Sequence, residues 1–180
     1  MSLKGRLLVA GPMLLDPNFR RTVILLGAHG EDGAMGVVLD RPTDVTVADG
    51  VPPLAALAGP DALVHIGGPV QPEAVVVLAE FAEPSRAGTL VTGAVGFLPG
   101  ELDDPDELGE LVRVRVFAGY AGWAAGQLES ELEENAWIVV RARPDDVFSS
   151  RPERLWHDVL RREGGAYAVL ALLPDDPLVN

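Results

Sequence analysis

The stretch that most limits what this chain can become is RTVILLGAHGEDGAMGVVLDRP, from Arg21 to Pro42. Two apolar runs of strand length, Thr22–Ala28 and Met35–Leu39, flank the turn His-Gly-Glu-Asp-Gly. Gly30 and Gly33 can take the positive φ that a tight connection needs, so the segment predicts a β-hairpin. A hairpin commits the chain to antiparallel pairing near its start. Arg41-Pro42 is expected to end the second strand, because proline cannot donate to a ladder.

The remaining elements follow from the same patterning. GRLLVA predicts a strand over Arg6–Ala10, AVVVLAEF another over Ala74–Phe81, and WIVVRAR a third. DALVHIGGPV reads as a short buried strand that reverses at Gly67-Gly68-Pro69, and TLVTGAVGFLPG as a further strand. Residues 43–62 read as a loop with one short helix, PLAALA, opened by Pro53. LVRVRVFAG alternates, with Val112, Val114 and Val116 on one side and Arg113, Arg115 and Phe117 on the other. A helix is expected from Ser150, where Glu153 completes the capping-box spacing, to Gly164, with Leu155, Trp156, Val159 and Leu160 as its buried stripe. AYAVLALLP is read as the strand that closes the sheet. Hairpins followed by mixed segments fit an α+β fold better than a doubly wound parallel sheet.

The stretch most like a site is RVRVFAGYAGWAAGQLESELEEN, residues 113–135, where a strand runs into three spaced glycines and an acidic helix. One reading is a cradle for an anion at a helix N-terminus near Trp123. The other is a strand-to-helix corner made tight by Gly119 and Gly122, with Tyr120 and Trp123 anchored in the core, and it is the one preferred here. The helix is expected over Trp123–Glu134, with Leu128 and Leu132 inward and Glu129, Glu131, Glu133 and Glu134 outward. Acids at a helix C-terminus oppose its dipole, so their placement needs an explanation that the sequence does not supply.

Chemistry is hard to locate. There is no cysteine, which excludes disulfides and thiolate metal sites. Lys4 is the sole lysine, so no phosphate loop exists, and the glycines at 119, 122 and 126 do not match a dinucleotide fingerprint. No serine stands in a Gly-x-Ser-x-Gly elbow. His29, His65 and His157 lack metal-ligand spacing, although folding could gather them with Asp16, Asp32 or Asp40. His29 is expected on the hairpin turn, His65 in a buried strand and His157 on a solvated helix face. ELDDPDELGEL departs from the calcium-loop pattern and reads as a solvated helix start.

The net charge of −13 argues against direct nucleic-acid contact, which rests on cations displacing counterions. The arginines between Arg141 and Arg162 alternate with carboxylates and make a mixed face. No apolar run is long enough to span a membrane, and the basic start is a poor signal peptide, because Gly11-Pro12 breaks its apolar run. A cytoplasmic protein is expected.

Taken together, GRLLVAGPMLLDPNFRRTVILL, GAMGVVLDRP, GGPV, FAGYAGWAAGQLESEL and LWHDVL resemble the bacterial YqgE/AlgH family over nearly the whole chain and in the same order. The resemblance implies one α+β domain over residues 1–180, with a strongly bent, barrel-like mixed or antiparallel sheet and flanking helices. It implies no established activity. Members are commonly labelled transcriptional regulators, a label that sits poorly with the acidity of this chain and with its lack of a helix-turn-helix or basic arm. Where that family commonly reads Asn-Arg-Pro, this chain has Asp40-Arg41-Pro42, and Asp supplies no amide donor.

The sequence therefore assigns no catalytic residue, metal ligand or cofactor. It points to a non-enzymatic binding or regulatory module for a protein or small-molecule partner. Candidate contact residues are Asp16, Arg41, Gly67, Gly68, Tyr120, Trp123 and Gln127, several of them beside backbone reversals where loops converge. The alternative is a small enzyme assembled around Asp16, Arg41, Gly67-Gly68 and the Tyr120–Gln127 turn.

Overall fold

The first strands carry the densest core. In the computed structural model, which describes residues 1–174, these are β1 (Arg6–Ala10), β2 (Val23–Gly30) and β3 (Gly33–Val38). They pair antiparallel in sequence order, Leu7 opposite Leu25 and Leu25 opposite Val37. Leu7, Val9, Val23, Leu25 and Val37 enter one apolar cluster, while Leu8, Ala10, Ile24, Leu26 and Val38 enter another. Strands buried on both faces read as continuous apolar runs, which is why the hairpin signal was so strong.

Two helices cover those faces. α5 (Leu155–Glu163) sets Leu155, Trp156, Val159 and Leu160 into the first cluster, and the Trp156 indole N–H donates to the Ala10 carbonyl at 2.9 Å. No side chain caps the start of α5. Burying each such apolar side chain contributes roughly 1.5–3 kcal/mol, so the four together outweigh several-fold the missing cap, which costs about 1 kcal/mol. Packing, not capping, holds this helix. The expected Ser150 capping box is absent, because a 3₁₀ turn over Pro152–Arg154 leads into the helix instead. α3 (Gln127–Glu133) covers the second face through Leu128.

The hub is β9 (Leu111–Ala124), which pairs with three strands. β6 (Val70–Phe81) runs antiparallel along one edge. β3 and then β5 (Leu63–Ile66) take the other, β5 in the only parallel pairing among the described residues. β7 (Thr89–Thr92) and β8 (Val95–Phe97) extend the sheet beyond β6, and β10 (Trp137–Arg141) extends it beyond β1. β4 (Pro42–Thr46) pairs with β5 alone. The result is an α+β fold built on a large, ten-stranded, mainly antiparallel sheet that does not close, with β10 and β7 at its ends. The remaining helices are α1 (Val47–Gly50), α2 (Ala55–Ala58), α4 (Pro144–Val147) and α6 (Gly165–Leu170).

Between β5 and β6 the chain passes from one edge of β9 to the other. Gly67-Gly68 makes this crossing directly against the main chain of Gly119 and Tyr120. A Cβ on Gly67 would lie 2.3 Å from the Gly119 carbonyl oxygen, and one on Gly119 would lie 2.4 Å from that of Gly68. Two backbones can cross at this separation only where both lack side chains.

Several expectations need correction. Residues 119–124 continue β9 rather than turning a corner, because Ala121–Ala124 pair with Gly33–Gly36 of β3. The helix starts at Gln127, and the turn glycine is Gly126, in the left-handed region at φ 77°. Pro42 opens β4 instead of ending β3, at a first-residue position where its missing N–H is tolerated. The strand expected from Ala74 begins at Val70. The single strand expected after residue 89 is the β7–β8 hairpin. PLAALA splits into a 3₁₀ turn over Pro52–Leu54 and α2. Ala166–Leu170 of AYAVLALL lie in α6, and Ala171–Leu173 turn after it, so no strand forms there. A short apolar run does not distinguish the two by period, and Ala and Leu are strong helix formers.

Candidate functional site

The predicted contact residues fall into three separate structural settings. The first is the glycine crossing just described. Gly67 and Gly68 meet Gly119 and Tyr120 there, and the Gly67 amide and carbonyl are spent on Ala118 and Val38. These atoms hold strands together.

The second setting is a carboxylate between two indoles. Glu131 accepts from the Trp123 indole N–H at 2.9 Å and from that of Trp137 at 2.7 Å, both at Oε2, while Gln127 Nε2 donates to Oε1 at 3.0 Å. Gln127 Oε1 in turn accepts from the Ala124 amide at 3.0 Å. Phe19 packs against both rings, 6.5 Å from Trp123 and 5.8 Å from Trp137, and the two indoles meet each other at 6.1 Å. The acidic helix thus has a reason for Glu131: a charged acceptor satisfies two part-buried donors at once. Glu129 meets the enclosed ring of His29, whose Nδ1 accepts from the Leu3 amide, so its Nε2–H donates to the carboxylate at 2.7 Å. That bond holds the Glu129 carboxyl below its ordinary range. His29 is therefore tied down rather than decorating the turn.

The third setting is a cleft. Leu15, Pro17, Arg20, Arg21 and Arg41 line a cavity of about 490 Å³. The loop from Asp16 is built locally: the Asp16 carboxylate accepts from the Asn18 amide at 2.8 Å, and its carbonyl accepts from Phe19 and Arg20. Arg41 clamps this loop by donating to the Pro17 carbonyl at 2.8 Å and the Arg20 carbonyl at 3.0 Å. Carbonyls hold a guanidinium without neutralising it, and these two bonds use two of its five N–H donors. Neither Arg20 nor Arg41 forms an ion pair among the described residues. Arg21 stacks over the Trp156 ring at 4.5 Å, donates to the Leu173 and Pro174 carbonyls, and lies 3.4 Å from His157 Nε2. His157 is half-buried by this contact, not solvated.

Sequence reasoning missed Arg20 and Arg21, although the Arg-Arg pair in NFRRT was visible as two adjacent cations in an acidic chain. In the sequence Asp40 stands out only as a carboxylate that could join a metal site and as the residue standing where the family commonly has Asn, not as a buried titrating group. That carboxylate accepts from the Val23 amide at 3.1 Å, a role that Asn would fill equally well. Burial pushes its pKa up to about 7, against the Val23 hydrogen bond and the Arg41 charge that pull it down. His65 is driven the other way, to about 4, by burial and then by the charge of Arg115. No group of three or more His, Cys, Asp or Glu suited to a metal ion occurs among the described residues. No helix among them is long and apolar enough to cross a membrane.

Comparison with known proteins adds a relationship. A family model described as AlgH-like matches residues 7–168. A UPF0301 protein of Streptomyces coelicolor is 50% identical over 187 residues, covering 99% of this chain and 96% of the relative. One from Chlorobaculum tepidum is 38% identical over 186 residues, covering 98% and 95%. A crystal structure of a Corynebacterium diphtheriae protein superposes with a TM-score of 0.84 at 30% identity, over 93% of this chain and 91% of the other. The solution structure of the AlgH protein from Pseudomonas aeruginosa gives 0.68 at 33% identity, over 97% and 95%.

Proposed function

This chain belongs to the AlgH-like, UPF0301 family, and we propose that it is a non-enzymatic cytoplasmic binding module that receives an anionic group of a protein or small-molecule partner at the Arg20–Arg21–Arg41 cleft. One observation carries this reading. In a chain of net charge −13, a concave surface gathers three arginines, and Arg41 is oriented there by carbonyls that leave its charge intact. Guanidinium forks match carboxylates and phosphates. Leu15 and Pro17 supply an apolar wall, so the ligand carries its anion on an apolar body. Any regulatory role then runs through that partner and not through DNA, whose phosphates the rest of the surface repels.

A second reading, a small enzyme at the same loops, draws on Asp40, whose pKa of about 7 suits proton transfer. Binding is favoured because Asp40 does not line the cleft, and the polar groups of the Trp123–Gln127 region are engaged in structural hydrogen bonds. The test is calorimetric titration at low salt with aliphatic carboxylates and organic phosphates, using wild type and Arg20→Gln. Saturable binding weakened about tenfold in the variant, roughly the 1.4 kcal/mol of one lost charged contact, is expected. Equal affinity in both proteins would remove the cleft as the site.

A further inference from the structure

The open ends of the sheet meet at a second basic cavity, which shares no lining residue with the cleft above. Arg6 at the start of β1 and Arg141 at the end of β10 are direct register partners in an antiparallel pair. Like charges placed opposite each other on a sheet repel. Lys4 stands beside them, and across the seam Val91 and Thr92 of β7 complete the wall with Gly5 and Ala142, around about 320 Å³. Gly5 itself approaches β7 so closely that a Cβ there would lie 2.6 Å from the Val91 carbonyl oxygen. None of Lys4, Arg6 and Arg141 forms an ion pair among the described residues, although carboxylates outnumber cations by 27 to 14 in this chain.

We propose that this seam is a binding site for a small phosphate-type oxyanion, held by Lys4, Arg6 and Arg141 with the Thr92 side chain alongside. Two guanidiniums and one ammonium give forked donors on one side and a point charge on the other, the donor set that a tetrahedral oxyanion uses. The cavity is at the small end of ligand sites, and only Val91 and Ala142 offer apolar wall, which fits an anion and leaves no place for a large apolar body. The bound anion offsets the Arg6–Arg141 repulsion and bridges β10, β1 and β7, so binding and closure of the sheet are coupled. This site does not depend on the arginine cleft, and its test separates the two.

The experiment uses the full chain in phosphate-free buffer at low salt. Inorganic phosphate, a phosphomonoester and sulfate are titrated while amide resonances and thermal melting are followed. Saturable shifts at Gly5, Arg6, Thr92 and Ala142 are expected, with a rise in Tm by linkage. The phosphomonoester arm tells whether the site takes a free ion or the phosphate of a larger molecule, and sulfate tests the demand for phosphate. Arg141→Gln should melt at or above the wild-type temperature without the anion and below it at saturating phosphate, because the substitution relieves repulsion and removes a ligand. Arg6→Gln, on the opposing strand, should show the same reversal, and Arg20→Gln should keep the wild-type phosphate shifts at Gly5, Arg6, Thr92 and Ala142, because Arg20 does not line this cavity. Equal phosphate stabilisation of wild type, Arg141→Gln and Arg6→Gln, or shifts that grow without saturating, would overturn the assignment.

Discussion

The arginines of this protein are held in two ways, and the contrast separates structure from recognition. Arg113 meets Glu80 at 2.6 Å and Asp145 at 2.8 Å, and Arg162 meets the buried Asp146 at 2.6 Å. Those charges are cancelled where they stand. Arg41 and Arg115 are held instead by main-chain oxygens, Arg115 by the carbonyls of Val147 and Ser149. A carbonyl fixes a guanidinium in place and leaves its field for something else to feel. His65 feels that of Arg115. In the cleft, a ligand would feel that of Arg41.

The contrast can be broken most sharply at Asp146. Asp146→Ala leaves the partly buried Arg162 with only the longer 3.7 Å contact to Glu163 and removes the acceptor for the Arg143 amide, so chemical denaturation should show a loss of about 3 kcal/mol. The next effect is at Asp40, beside the uncancelled Arg41. Between 3.8 and about 7 the folded chain keeps a proton that the unfolded chain has lost, so stability falls as pH rises through that window and levels off above it. Asp40→Asn keeps the Val23 hydrogen bond without the titration. At pH 8 it should gain about 2 kcal/mol, allowing for relaxation around the charge, and lose the decline toward neutral pH. What then remains is the opposite slope of His65: from 6.5 down to about 4 the unfolded chain takes up a proton that the folded chain refuses, so stability drops as pH falls. Arg115→Gln should raise the His65 pKa in an NMR titration, because a nearby positive charge is gone. An unchanged value would mean that burial alone sets it. The smallest effect is expected for Arg20→Gln, which should alter stability by no more than about 0.5 kcal/mol while weakening anion binding.

How much of this was legible in the sequence depends on how local each signal is. The hairpin, β1, the stripe of α5 and its Gly164 stop are written in short-range pattern and stand, except that the hairpin turn narrows to Glu31-Asp32 and only Gly33, not Gly30, takes a positive φ. The acidic helix was visible, but the purpose of Glu131 was not, because its two indole donors lie on β9 and β10. Glycines 119 and 122 suggested a corner because local propensity cannot see β3, which pairs with residues 121–124 and carries the strand on past the positive-φ Gly119. The arginine cleft was half-visible. Arg41 and Asp16 were singled out from loop placement, whereas Arg20 and Arg21 enter it only because the clamp from Arg41 folds their loop back.

The glycine crossing at residues 67–68 also bears on how the chain acquires its shape. β9 takes its place between β5 on one edge and β6 on the other, with the link between them laid across it. A ribosome releasing this protein from its N-terminus delivers both flanking strands dozens of residues before the one that joins them. Until residue 120 has emerged, the edges of those strands that face β9 stay open and must wait. Assembly is therefore gated by a late segment, which makes the nascent intermediate, more than the finished molecule, the form most exposed to aggregation.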